Sequence, residues 1–218
     1  EQRQRHSSQP QLPRQERAEN MLYAAQWNSK ALARIAPHIP KDIPKDPHSQ
    51  QAEIALASFK AGVCVSANLT ISQFDSHQKN DEDQMKLIPK FLASIDYLLR
   101  RAEDLNIREK LVLIIQSEMG RTPTYNSGNG KDHWSIGSIM FLGPGIVGNR
   151  VIGATDNGQF TIPIDPKTLA LSPKNGRRVR PEHIHIALRE LAGVAGNALS
   201  ERFPFKVKNE EQLVGLWG

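Results

Sequence analysis

The sequence predicts an α/β fold, a mostly parallel sheet flanked by helices, and three observations carry that expectation. Two apolar, β-branched runs of strand length stand apart in the chain, "VCVSANLTIS" at 63–72 and "KLVLIIQS" at 110–117. Between them, residues 81–105 place Leu87, Ile88, Phe91, Leu92, Ile95, Leu98, Leu99 and Ala102 on one wide apolar stripe at helical spacing. A glycine-rich loop, "TYNSGNGKDHW", then leads to a third short strand, "SIMFLG". Strand, helix, strand, loop, strand is the rhythm of a parallel sheet covered by helices.

The remaining elements follow in order. Residues 1–13 are polar and read as a loose N-terminus. Residues 14–49 read as a helix and a connector: Met21, Leu22, Ala25, Leu32 and Ile35 recur at helical spacing. "PHIPKDIPKDPHS" has too many prolines to continue that helix. Residues 50–218 read as the α/β domain. Within it "SQQAEIALASFKAG" is a short helix closed by Gly62. "GPGIVGNRVIGATD" gives tight turns and a small hairpin. Pro181 opens a last helix with Ile184, Leu188, Leu191 and Val194 on one face.

The totals bound the function. A chain of 218 residues with 39% hydrophobic content can bury a core. The net charge of +5 would draw anionic molecules, but no interleaving of aromatic and basic residues points to nucleic acid. Cys64 is the lone cysteine, so no intrachain disulfide forms, and inside a strand it acts as a small hydrophobe. No apolar run is long enough to span a membrane, and no signal peptide is present. The opening "EQRQRHSSQPQ", with no initiating Met, leads us to expect a processed or truncated piece of a longer protein.

Chemistry-bearing residues gather after the predicted strands, where open α/β sheets place their sites. "FDSH" follows the first strand, and in extended backbone Asp75 and His77 point the same way. Glu118 closes the second strand. The adjacent pair Asp132 and His133 lies in the loop beyond it. Carboxylates with imidazoles suit Zn²⁺, and also Mn²⁺ or Fe. Each has a plainer reading beside it: a turn with a solvent-exposed His77, a turn cap for Asp132, stacking of His133 on Trp134. For Glu118 the plainer reading is an ion pair with Arg121. Arg121 offers a fork for phosphate, sulfate or carboxylate oxygens, and the Thr122 hydroxyl can bond substrate or its own backbone. Asn126, Gly128 and Gly130 allow tight turns, without the phosphate-loop pattern. His183 and His185 face different ways on a helix and read as surface or boundary residues. His38 and His48 belong to the connector. No G-x-S-x-G elbow is present.

"FDSH", a long helix, "VLIIQSEMGRTPTYNSGNGKDHW" and "IMFLGPGIVGNRVIGATD" together closely resemble the C-terminal half of a large group of uncharacterised bacterial proteins. That group is related to alkaline phosphatases and sulfatases and is often exported by the twin-arginine route. The resemblance covers about residues 50–200, with Ser76 for the usual Thr and Met119 for the usual Phe. It implies a doubly wound, alkaline phosphatase-like sheet, of which this chain holds only part. It also implies a periplasmic or exported location and a divalent metal at strand ends. Zn is the first choice, with Mn, Fe, Mg or Ca as alternatives. Asp75, His77, Glu118 and His133 would be its ligands and Asp132 a candidate for an extra one; Arg121 and Thr122 are the candidate catalytic residues on their own chemistry. Where the wider superfamily has Asp-His, this chain has Ser117-Glu118, which argues against two-metal hydrolysis. No nucleophile-bearing strand is evident in residues 1–60.

The expected function is metal-dependent hydrolysis of a small phosphate or sulfate ester. The alternative is a non-catalytic exported binding or scaffold protein that keeps the fold. Expected partners are the anionic substrate and either a missing N-terminal portion or a second copy of the chain.

Overall fold

The computed structural model describes residues 13–218, with side chains from Met21 onward except Tyr23. The reading of residues 1–13 as a loose terminus lies almost wholly outside the described residues. Two compact units emerge, one formed by residues 13–72 with Pro89–Ile107, the other by Gln73–Ile88 with Arg108–Gly218.

The first unit is helical. Helix α1 (Pro13–Ile35) forms where the spacing predicts it, yet Met21, Leu22 and Leu32 are exposed. Helix α2 (Pro47–Lys60) starts at Asp46, whose carboxylate accepts from the backbone N–H groups of His48 and Ser49. It ends at Gly62, whose φ of +63° is left-handed. The Arg34 guanidinium donates to the Ala61 carbonyl at 2.5 Å and fixes that end. Ala52, Ala55, Leu56 and Ala57 are buried, and so is Glu53. The Glu53 carboxylate is satisfied by Arg101 Nε at 2.8 and 3.1 Å and by the Tyr97 hydroxyl at 2.5 Å.

Tyr97 and Arg101 lie on helix α3 (Asn80–Asp104), whose last four turns belong to this unit and whose first turns belong to the second. The predicted stripe is only partly used: Leu87, Leu98 and Ala102 are buried, whereas Ile88 and Leu92 are exposed. Pro89 sits inside the helix, where it cannot donate to the carbonyl of Met85.

The second unit holds the strands. β1 (Leu113–Ile115) pairs antiparallel with β4 (Met140–Leu142), Leu113 opposite Leu142 and Ile115 opposite Met140. β2 (Gly120–Arg121) pairs antiparallel with β3 (His133–Trp134). The architecture is thus helices with small antiparallel sheets, and the doubly wound parallel sheet expected from the sequence is not what the described residues form. Two features explain the difference. Residues 63–72 form no strand: no other segment among the described residues pairs with them, and Val65 is 99% exposed. Cys64 is accordingly half-buried in irregular chain rather than inside a strand. The run at 110–117 is half-exposed, so it needs only one antiparallel partner and no covering layer of helices.

The core of this unit is built from Ile164, Leu169, Ala187, Leu213 and Leu216, with Ile152, Val179, Ile184 and Trp217 packed against it. Ala187 and Ile184 come from helix α4 (Pro181–Leu191), which Pro181 opens as the sequence predicts; a short α5 (Ala198–Arg202) follows. His183 is not a surface residue: it is 2% exposed, and its Nδ1 accepts from the Arg180 N–H at 3.0 Å. The predicted hairpin after residue 143 is a minimal one, a single Thr155–Thr161 bridge around the Asp156 turn.

Candidate metal centre

The site forms where two backbone segments of the second unit clasp each other. Residues 76–80 run beside the loop 126–132. Lys79 and Asn80 donate to the carbonyls of Gly128 and Asn129, and Lys131 donates back to Ser76. Gly130 makes the clasp sterically possible, since a Cβ there would lie 1.9 Å from the His77 carbonyl oxygen. Ser76, between Asp75 and His77, points inward. It is 3% exposed, donates to Asn80 Oδ1 at 2.7 Å and accepts from Gln84. Asp75 and His77 are thereby turned outward together, as their two-residue spacing predicts.

The β2–β3 ladder brings in the other partners. Arg121 lies opposite His133, so their side chains share one face. Both reach Asp75: Arg121 donates to Asp75 Oδ1 at 2.5 Å, and His133 Nε2 lies 3.1 Å from the same oxygen. His77 Nε2 lies 3.0 Å from Asp75 Oδ1 and 3.0 Å from His133 Nε2. Three potential ligand atoms thus form a nearly equilateral triangle, and among the described residues Asp75, His77 and His133 are the set that meets within coordination range.

The donor chemistry and spacing fit a small divalent ion. Zn–N and Zn–O bonds of about 2.0–2.1 Å at tetrahedral angles put neighbouring ligand atoms roughly 3.3 Å apart. The triangle edges of 3.0–3.1 Å fall within a few tenths of an ångström of that spacing. Two imidazoles and one carboxylate form a Zn-type set that leaves a coordination position open. About half of each imidazole is solvent-exposed, so that position opens outward.

Asp132 takes a different part from the extra ligand expected of it. Its Oδ1 sits 2.8 Å from His77 Nδ1, on the side of the ring away from the triangle. A carboxylate only accepts, so Nδ1 carries a proton toward Asp132, which leaves Nε2 as the ring nitrogen that a metal ion could take. The bond from His77, then that from Asn126, holds the Asp132 carboxyl below its ordinary range. Asp75 is lowered to about 2, first by the Arg121 hydrogen bond and then by that from His133.

Glu118 stands apart, and Arg121 and Thr122 are bound within the protein. Glu118 is exposed in the bend after β1, lies outside the triangle, and among the described residues makes neither a hydrogen bond nor an ion pair. Its expected partner Arg121 is taken by Asp75 and by the Lys131 carbonyl at 3.1 Å, which leaves the guanidinium committed within the protein. Thr122 is likewise engaged: its hydroxyl donates to the Thr124 carbonyl and accepts from the Asp132 N–H. His133 packs against His77, ring centroids 4.6 Å apart, while Trp134 turns to the other face and packs on Phe160. Asn126, read from the sequence only as a turn residue, touches both His77 and Asp132.

No helix among the described residues is long and apolar enough to cross a membrane. Comparison with curated proteins and with solved structures finds no match. The family model described as "Protein of unknown function (DUF1501)" matches residues 4–170, well over half of the chain, and the protein belongs to that family.

Proposed function

We propose that this protein is a metal-dependent hydrolase of small anionic esters, phosphate or sulfate, with one divalent ion held by Asp75, His77 and His133. The observation that carries this proposal is the triangle of ligand atoms with edges of 3.0–3.1 Å, backed by a carboxylate on the far nitrogen of His77. Two imidazoles favour Zn, Mn or Fe over Mg or Ca, which prefer oxygen alone. When bound, such an ion supplies Lewis acidity toward an ester oxygen and acidifies a bound water. The chain's own part is to hold the ligands in place: Asp132 accepts from His77 Nδ1–H, and Arg121 orients Asp75. In this arrangement Arg121 orients a ligand and does not grip the substrate anion. The ester class, the relationship to alkaline phosphatases and sulfatases, and export from a bacterial cell are all supported by the motif resemblance.

One observation favours the non-catalytic alternative, a binding or scaffold protein with a structural metal. Thr122 and Arg121 are both spent on internal bonds, and Ser76 is buried, so none of the three offers a free nucleophile or anion clamp. Aryl phosphates and aryl sulfates, assayed with Zn²⁺ and Mn²⁺, separate the two. Hydrolysis that disappears in His77→Ala and Asp75→Ala is the result expected of the hydrolase. Hydrolysis unaffected by both substitutions, or a metal-loaded protein inert toward the whole panel, contradicts it.

A further inference from the structure

We propose that Asn126 is the positioning residue of this centre, holding the backbone of His77 and the carboxylate of Asp132 in one grip. Its metal arm rests on the metal-binding reading above; its spectroscopic arm does not.

The Asn126 amide uses its whole bonding capacity. Nδ2 donates to the His77 carbonyl at 3.0 Å and to Asp132 Oδ1 at 3.1 Å. Oδ1 accepts from the backbone N–H groups of Gly128 at 3.0 Å and Gly130 at 2.9 Å. Two donors and two lone pairs are thus all satisfied. The amide orientation is also unique, because a flip would set oxygen against two acceptors and NH₂ against two N–H donors. Backbone bonds from Asn126 N to the Gly130 carbonyl and from Asn129 N to the Asn126 carbonyl close the same loop.

The two halves of the amide do different things. The oxygen shapes the loop that delivers Gly130 against His77. The nitrogen reaches the centre itself. Asp132 Oδ1 receives Asn126 on one side and His77 Nδ1 on the other, so the direction of the His77 ring depends on where Asn126 holds that oxygen. The same nitrogen pins the His77 carbonyl, so ligand backbone and ligand ring are set by one group.

Two variants divide these roles. Asn126→Ala removes both halves. Asn126→Asp keeps an oxygen for the Gly128 and Gly130 N–H groups but turns an acceptor toward Asp132 and the His77 carbonyl. The first measurement is the ¹⁵N–¹H spectrum of the histidine side chains in metal-free protein, with circular dichroism to show folding. Wild type should show a His77 Nδ1–H signal displaced by its bond to Asp132, and both variants should move or weaken that signal. The second is a Co²⁺ titration followed by visible absorption. Loss of the carboxylate–imidazole pair itself typically weakens metal binding about 10- to 100-fold; Asn126 supports that pair from outside, so a loss near the low end, about 10-fold, is expected in both variants. A folded Asn126→Asp with the wild-type His77 signature and wild-type Co²⁺ affinity would overturn the proposal and leave Asn126 as loop scaffold only. If wild type itself binds no Co²⁺, the metal-binding reading fails, and the His77 spectrum alone decides on Asn126.

Discussion

Arg121 and His133 stand opposite each other on the two-residue β2–β3 ladder, and their side chains end on the same oxygen of Asp75, at 2.5 and 3.1 Å. A cation and an imidazole therefore share one carboxylate that comes from a distant part of the sequence. The pairing explains how an exposed aspartate is held in one direction and why its carboxyl is lowered to about 2, and it yields the first prediction.

Asp75 should titrate near pH 2, and Arg121→Gln should move its midpoint up toward the ordinary carboxylate value of about 3.9. A group whose pKa is depressed on folding contributes stability above its unfolded pKa and loses it as pH falls through the folded value. The Asp75 contribution is thus complete at neutral pH and fades between about pH 4 and pH 2. Carboxyl-carbon NMR titration of wild type and Arg121→Gln checks both midpoints.

Asp132→Asn should leave the fold intact and weaken Zn²⁺ binding by about 10- to 100-fold, because a neutral amide oxygen replaces the carboxylate that accepts from His77 Nδ1–H. Glu118→Gln should leave Zn²⁺ affinity unchanged, since Glu118 lies outside the ligand triangle. Competition with a chromophoric chelator measures the two side by side. Equal losses in both variants would put Glu118 back among the ligands.

In the helical unit, Glu53→Ala should destabilise by about 3–5 kcal/mol, the range found when one partner of a buried ion pair is removed. Arg101 would be left with Asp104 at 3.8 Å and the His38 carbonyl at 3.0 Å. Urea denaturation gives the change directly.

Tyr97 gives a spectroscopic counterpart. Burial, then its bond to Glu53, pushes the phenol up to about 12. A raised value means its contribution is whole below the ordinary tyrosine pKa of about 10 and is lost as pH climbs through 12. The difference in tyrosinate absorbance between wild type and Tyr97→Phe should therefore appear only near pH 12.

Much of the centre was legible in the sequence, and the reasons are local. Asp75 and His77 were found because a two-residue spacing turns both outward around an inward Ser76. Asp132 and His133 were found as an acid–imidazole pair in a glycine-rich loop. Their division of labour was not legible, because it depends on the β2–β3 register, which sets His133 on the Arg121 side and leaves Asp132 to reach the far nitrogen of His77. Glu118 was placed with the ligands because the preceding run looked like a central strand, whereas β1 is half-exposed with one antiparallel neighbour and Glu118 lies outside the triangle. The helices were easier: Gly62 and Pro181 mark ends by chemistry that acts within a few residues, whereas the cap at Asp46, inside the proline-rich connector, was not read. The strand misread at 63–72 had suitable composition but no partner, and pairing is a property of the fold rather than of the segment.

The central claim is that Asp75, His77 and His133 hold one divalent ion. Isothermal titration of the metal-free protein with Zn²⁺ tests it most directly, with His133→Ala as the control. One ion bound per chain, with binding abolished in a folded His133→Ala, is the predicted result. No saturable binding in wild type, or undiminished binding after His133 is removed, would contradict it.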